Sequence, residues 1–214
     1  MWNHRTQSPP PSIELVRKNA RILVIDDQEW PAKDMFERDG YHIERWPEIK
    51  NLSQLTDSHY HLILLDVHGV GLNESPDLHG LGILNHIKST NPAQPVIVYS
   101  SQKQKISANQ FLTKADTLLD KKDSYVTFKE EVDKLLLRRA TPGYFIAVMN
   151  DQLGENAVLV PKAVGKALAS FRTGSTNRLD QYLQSHINDV DLIQLIIGTI
   201  GIGIETIKLF GGVS

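Results

Sequence analysis

The sequence of 214 residues contains no cysteine and carries almost no net charge. Without cysteine, disulfide bonds, thiol catalysis and cysteine-ligated zinc sites are excluded. The formal net charge of -2 gives the whole molecule no attraction to nucleic acid or to acidic membranes. The N-terminal segment MWNHRTQSPPPS lacks the apolar core of a signal peptide, and we interpret residues 1–19 as a flexible leader that its prolines stiffen locally. We therefore expect a cytoplasmic protein.

Strand-like and helix-like segments alternate regularly between residues 20 and 140. Short apolar runs at 22–25, 62–65 and 96–99 are typical of strands buried on both faces of a sheet. Weaker strand patterns lie at 41–46 and 116–121. Segments with helical spacing follow the strands, at 32–40, 49–58, 80–92, 104–115 and 125–140. Five strand–helix units predict an α/β domain with a five-stranded, parallel, doubly wound sheet.

Polar residues end these strands, namely Asp26, Asp27, Asp66, Ser100 and Lys121. The carboxyl ends of parallel strands meet at one edge of the sheet, so these side chains should converge there. Three carboxylates at close range repel one another, and a hard divalent cation such as Mg²⁺ removes that conflict. If the cation alone holds them, Asp26→Asn should stabilise the metal-free protein. Asp66 is the natural nucleophile, because carboxylates do form aspartyl phosphates.

These residues lie in five segments, LVIDD, LILLD, HGLGILNHIK, PVIVYSS and ADTLLDK. Together the segments make residues 20–140 resemble the receiver domain of bacterial two-component response regulators. The resemblance implies a flavodoxin-like or CheY-like fold, a phosphoprotein, and phosphorelay signal transduction. It also implies that a histidine kinase or a phosphotransfer protein delivers a phosphoryl group to this domain.

The same resemblance assigns a role to each residue of the site. Asp26, Asp27, Asp66 and the backbone carbonyl of His68 would bind Mg²⁺, with Asp66 as the phosphoacceptor. Ser100 would be the switch hydroxyl. The phosphoryl group would also pair with the ammonium group of Lys121.

Four features depart from the family pattern. The loop over residues 67–79 is several residues longer than usual and could bind a partner or gate Asp66. Val70 and Lys122 stand where proline is common, and Leu118 stands where an aromatic residue often couples to the switch hydroxyl. The side chain of His68 either lines the Asp66 pocket or is an exposed loop residue. The glycines around this loop are interpreted as turn residues, since their spacing lacks the context of a nucleotide-binding loop.

Residues 141–214 predict a small, mainly helical C-terminal module for oligomerisation or output. The segments 144–151 and 156–161 could pair as a short hairpin, and helices should follow at 161–174, 175–187 and 189–212. The last helix is apolar over residues 195–204, with small residues on one face. It could pack against the other helices, form a homodimer through residues 141–214, or associate with a membrane.

The favoured interpretation is a response regulator, a signalling protein rather than an enzyme with turnover. Phosphorylation of Asp66 would switch self-association or partner binding through the C-terminal module. One alternative is a DNA-binding transcriptional regulator, although acidic residues slightly outnumber basic ones in 141–214. Another alternative is an aspartate-nucleophile phosphatase, although His68 stands where that class carries an acidic general acid.

Overall fold

The computed structural model describes residues 11–49, 51–53, 55, 60–101 and 110–211. The chain divides into two compact units: an N-terminal unit of residues 17–136, and a C-terminal unit of residues 137–214 that also includes the chain up to Val16. The sequence placed its boundary after residue 140, a few residues beyond this division.

Five strands and four helices precede residue 141 in the described part of the chain. The strands are β1 Arg21–Ile25, β2 His42–Trp46, β3 Leu62–Asp66, β4 Val96–Ser100 and β5 Thr117–Asp120; the helices are α1 Ile13–Asn19, α2 Lys33–Arg38, α3 Gly80–Thr90 and α4 Tyr125–Arg139. A short 3-10 helix covers Gln110–Lys114. Residues 104–109 of the helix predicted at 104–115, and half of the residues of the one predicted at 49–58, lie outside the described part of the chain.

The five strands form one parallel sheet in the order β2-β1-β3-β4-β5. This is the strand order of the flavodoxin-like and CheY-like doubly wound fold, so the predicted fold class is confirmed. The chain reverses direction of winding between β1 and β3, where such folds bind ligands. In the sheet register Asp66 lies opposite Tyr99, and Ser100 lies opposite Asp120.

Burial explains why the central strands form. Every residue of β3 and β4 is buried, and so are the four apolar residues of β1. Helix α3 packs Leu81, Ile83, Leu84 and Ile87 into the same core. Burying a branched aliphatic side chain stabilises the fold by about 1.5–3 kcal/mol, which offsets the cost of ordering a strand with no polar face.

The N-terminal residues correct one prediction. Residues 13–19 form helix α1, so the flexible leader predicted over 1–19 is wrong for this part; residues 1–10 lie outside the described chain. The hydroxyl of Ser12 accepts a hydrogen bond from the backbone N–H of Leu15 at 3.3 Å, and Val16 is fully buried. A capping hydroxyl and one buried residue are enough to order a short helix directly after the prolines.

The C-terminal unit is helical, as predicted, but it contains no hairpin within the described residues. Its helices are α5 Pro142–Leu153, α6 Ala163–Thr173, α7 Asn177–Gln184 and α8 Val190–Leu209, with a 3-10 turn at Gly154–Leu159. The hairpin prediction is wrong because Tyr144, Phe145, Met149 and Leu153 recur at helical spacing and are all buried. Tertiary burial of that face outweighs local strand propensity.

Helix α8 is the apolar segment at the C-terminus. The carboxylate of Asp189 caps it by accepting a hydrogen bond from the N–H of Leu192 at 3.0 Å. Its length and composition would allow it to cross a membrane, but the core helix of a helical bundle has the same properties. Gly203 lies against the ring of Phe145 on α5, where a Cβ atom would come within 2.6 Å. This close contact agrees with the interpretation of α8 as a helix packed against its neighbours.

Candidate functional site

Three carboxylates meet at the carboxyl edge of the sheet. Asp26 and Asp27 follow β1, Asp66 ends β3, and one oxygen atom from each lies within 4.8 Å of the others. Asp26 and Asp66 are each only 2% exposed, whereas Asp27 is exposed. The sequence predicted this cluster, and its all-oxygen composition suits a hard divalent cation. The exposed member lets a hydrated ion approach from solvent.

The ammonium group of Lys121 lies between the two buried acids. Its Nζ atom is 2.7 Å from Oδ2 of Asp66 and 3.2 Å from Oδ2 of Asp26. Burial lowers the pKa of Lys121, but the hydrogen bond to Asp66 and the charges of both acids outweigh it and raise the pKa above its ordinary value. Lys121 is therefore charged at neutral pH and partly neutralises the carboxylates.

Asp66 remains an unfavourably buried anion despite this partner. Burial raises its pKa, and the charge of Asp26 adds to the effect. The hydrogen bonds from Lys121 and from the backbone N–H of His68, at 3.2 Å to Oδ1, lower the pKa again but do not cancel the rise. A carboxylate in this condition gains stability from any further positive charge placed beside it.

Asp26, in contrast, is well supplied with hydrogen bonds. Its Oδ1 accepts from the backbone N–H of Gln28 at 3.0 Å, and its Oδ2 accepts from the phenol of Tyr99 at 2.8 Å. Lys121 adds a third donor. These bonds reverse the expectation that Asp26→Asn stabilises the metal-free protein, because a buried charge with several donors is stabilised where it stands.

Tyr99 was missed by the sequence analysis. Its side chain is almost fully buried, and its pKa is raised well above 10, first by burial and then by the charge of Asp26. The hydroxyl therefore stays protonated and donates. A phenol one residue before Ser100, at the end of an otherwise aliphatic strand, is the signal that could have revealed it.

Ser100 and His68 occupy the same edge of the sheet. Ser100 is the last residue of β4 and fully buried, and its carbonyl accepts from the backbone N–H of Lys121 at 3.2 Å. The side chain of His68 is exposed, while its backbone N–H contacts Asp66. Of the two interpretations of His68, the exposed loop residue agrees with this burial.

Two glycines hold the loop after β3 against the acids. Gly69 has φ +87°, and a Cβ atom there would lie 2.5 Å from the carboxyl carbon of Asp27. A Cβ atom on Gly80 would lie 2.2 Å from the carbonyl oxygen of Asp66. Both glycines were predicted to be turn residues, but each also allows the backbone to approach an acid that belongs to the site.

Comparison with known proteins finds similarity only among solved structures: no family model and no curated protein matches the chain. The similar structures include the response regulator TrrA of Thermotoga maritima in complex with Mg²⁺-BeF (22% identity, TM-score 0.44), which covers 54% of this chain and 98% of its own. A Francisella response regulator receiver domain has 25% identity and a TM-score of 0.47, covering 56% and 98%. The beryllofluoride-activated NtrC4 receiver domain dimer has 25% identity and a TM-score of 0.46, covering 54% and 95%.

Many of the structural neighbours are response regulator receiver domains. In the neighbours named above, the similarity covers slightly more than half of this chain. The helices of the C-terminal unit remain without an assigned function.

Proposed function

We propose that this protein is a response regulator and that Asp66 is its phosphoacceptor. The observation that carries the proposal is the buried Asp66 carboxylate, 2.7 Å from the Lys121 ammonium and in one cluster with two further acids. No other part of the described chain groups three acids in this way. An oxygen atom of Asp66 would attack the phosphorus atom of a phosphoryl donor. The bond between phosphorus and the donor's leaving group would break, and the leaving group would take the electron pair.

The residues present suit Mg²⁺, which would be held by Asp26, Asp27, Asp66 and the backbone carbonyl of His68. When bound, the cation would neutralise charge on the transferring phosphoryl group. Lys121 would pair with one phosphoryl oxygen, and the Ser100 hydroxyl would donate to another.

The proposed donor is a histidine kinase or a phosphotransfer protein, and the proposed output is self-association through residues 141–214. Several apolar side chains in this unit are exposed: Val158, Leu159, Val164 and Leu168. Val164 and Leu168 lie one turn apart on α6, so they present one apolar surface. A second copy of the chain would cover it in a homodimer. A cytoplasmic location and the absence of substrate turnover are part of the same proposal.

Acyl-phosphate labelling tests the central step. The full-length protein should incorporate one phosphoryl group from acetyl phosphate in the presence of Mg²⁺, and chelation should prevent this. Asp66→Asn should abolish the label. Asp34→Asn, which alters an exposed acid in the first turn of α2, is the matched control and should label normally. An unlabelled wild type, or a fully labelled Asp66→Asn protein, would refute the proposal.

The mass of the full-length protein in solution tests the output. Mg²⁺ with beryllofluoride should change the fraction of dimer, and Leu168→Glu should remove the dimer. Leu72→Glu is the matched control, because Leu72 is similarly exposed (47% against 43%) but lies in the N-terminal unit. If the dimer persists in Leu168→Glu and is lost in Leu72→Glu, the interface lies in the N-terminal unit and the proposed output is wrong.

A further inference from the structure

Tyr99 is a buried hydroxyl donor attached directly to the acidic cluster. It lies in β4, opposite Asp66 in the sheet register, and is 1% exposed. Its hydroxyl donates to Oδ2 of Asp26 at 2.8 Å. The ring packs edge-on against Phe128 of α4, with 5.8 Å between the centroids, which restricts its rotation.

The bonds to Asp26 fix both of its carboxylate oxygens. The backbone N–H of Gln28 holds Oδ1, and Tyr99 holds Oδ2, so the carboxylate plane cannot rotate without breaking one of them. Lys121 also contacts both oxygens, at 3.3 and 3.2 Å. The two kinds of side-chain donor differ in one respect: the ammonium group carries a charge that competes with a cation, whereas the phenol is neutral.

We infer that Tyr99 is a positioning residue of the Mg²⁺ site, which orients the Asp26 carboxylate toward the ion. This inference rests on the proposed function, since it assumes that the acidic cluster binds Mg²⁺. A carboxylate oxygen has two lone pairs, so Oδ2 can keep the bond from Tyr99 while the carboxylate serves as a ligand. Loss of a group that orients a metal ligand in this way typically lowers metal affinity by about ten- to a hundredfold.

The test compares wild type, Tyr99→Phe and Tyr125→Phe in the full-length protein. Tyr125→Phe is the matched control. The hydroxyl of Tyr125 also donates a hydrogen bond to a carboxylate, that of Asp39 at 2.6 Å, but Asp39 does not belong to the acidic cluster. Mg²⁺ affinity is measured by calorimetric titration, and the rate of labelling by acetyl phosphate is measured as a function of Mg²⁺ concentration. The predicted result for Tyr99→Phe is an affinity about tenfold weaker, with an unchanged labelling rate at saturating Mg²⁺. Tyr125→Phe should match wild type.

The outcomes separate this inference from the proposed function. If wild type binds no Mg²⁺, both are wrong. If wild type binds Mg²⁺ and Tyr99→Phe binds it equally well, the inference is overturned and the proposed function stands. If Tyr99 had a purely structural role, Tyr99→Phe would lower the thermal stability of the protein but leave the half-saturating Mg²⁺ concentration unchanged.

A second measurement does not depend on the variant folding. In wild type with ¹³C at the tyrosine ring carbon that bears the hydroxyl, the Tyr99 resonance should shift with the same Mg²⁺ dependence as the calorimetric signal. A resonance that does not respond to saturating Mg²⁺ would overturn the inference.

Discussion

The sheet edge of the N-terminal unit and helices α5 to α8 of the C-terminal unit bury polar groups in different ways. At the sheet edge of the N-terminal unit, Asp26 and Asp66 are buried as charges and share one ammonium group, that of Lys121. In helices α5 to α8 the buried polar side chains are hydroxyls, and two have neutral partners: Ser170 donates to the carbonyl of Lys166, and Thr199 accepts from Gln152. Two buried charges of the same sign destabilise a fold, so their presence indicates a function, whereas hydrogen-bonded hydroxyls are compatible with packing alone.

The largest effect should come from overpacking the C-terminal unit. In Gly203→Val the new side chain would overlap the Phe145 ring, and the free energy of unfolding should fall by about 3 kcal/mol. Denaturant unfolding measures this loss. Because neither Gly203 nor Phe145 belongs to the acidic cluster, acyl-phosphate labelling of the folded fraction should not change.

Gly198→Ala is the control for that substitution. A Cβ atom on Gly198 meets nothing within 4 Å, so the variant should gain about 0.5–1 kcal/mol from helix propensity. If Gly203→Val is as stable as wild type, the close packing of α8 on α5 is wrong.

A second substitution separates backbone strain from contact with the site. Both Gly69 and Gly40 have positive φ, +87° and +90°, but only at Gly69 would a Cβ atom collide with Asp27. Alanine should cost about 1 kcal/mol at either position because of the backbone conformation. Gly69→Ala should in addition weaken Mg²⁺ binding, measured by titration, while Gly40→Ala should leave it unchanged. Equal Mg²⁺ affinities would show that the Gly69 contact does not shape the site.

A charge network away from the site shows that a partly buried charge can also be structural. Asp133 of α4 accepts hydrogen bonds from Arg17, Tyr41 and Lys129 at 2.5–3.1 Å. Burial raises the pKa of Asp133, but these three donors outweigh it and hold the pKa below its ordinary value. Asp133→Asn should cost about 1.5 kcal/mol at neutral pH, the value of a hydrogen bond to a charged group.

The pH dependence of this loss follows from the sign of the shift. A depressed carboxyl pKa stabilises the fold above the unfolded-state value of about 3.9 and ceases to do so as pH falls through the folded-state value. The difference between wild type and Asp133→Asn should therefore shrink in acid, as measured by unfolding at a series of pH values. A difference that grows in acid would contradict the assignment.

The smallest effect concerns the two buried acids themselves. Without metal, Asp66→Asn should raise the free energy of unfolding, because burial disfavours the charged carboxylate. Asp26→Asn should lower the free energy of unfolding by about 1 kcal/mol, because hydrogen bonds from Gln28, Tyr99 and Lys121 support the charge. Parallel unfolding curves measure both. If the free energy of unfolding changes in the same direction in both variants, the conclusion that burial destabilises Asp66 while hydrogen bonds stabilise Asp26 is wrong.

The sheet and its acidic edge could be predicted from sequence because each rests on a local pattern. Apolar runs end in acids, and the parallel arrangement brings the ends together whatever the details of packing. The phenol at the end of an aliphatic strand marks Tyr99 as a candidate, but its bond to Asp26 could not be predicted from a local pattern, since it joins residues 73 positions apart and depends on the sheet register. Helix α1 was not predicted because proline dominates the residues before it. The hairpin prediction followed local strand propensity, whereas burial of one apolar face stabilises a helix over Pro142–Leu153.

The position of the acyl phosphate tests the central claim most directly. After labelling with acetyl phosphate and Mg²⁺, borohydride reduction converts a phosphorylated aspartate to homoserine, which peptide mass spectrometry can locate. The account predicts homoserine at position 66 and none at positions 26 or 27. Homoserine at either of those positions, or an unmodified Asp66 in labelled protein, would contradict it.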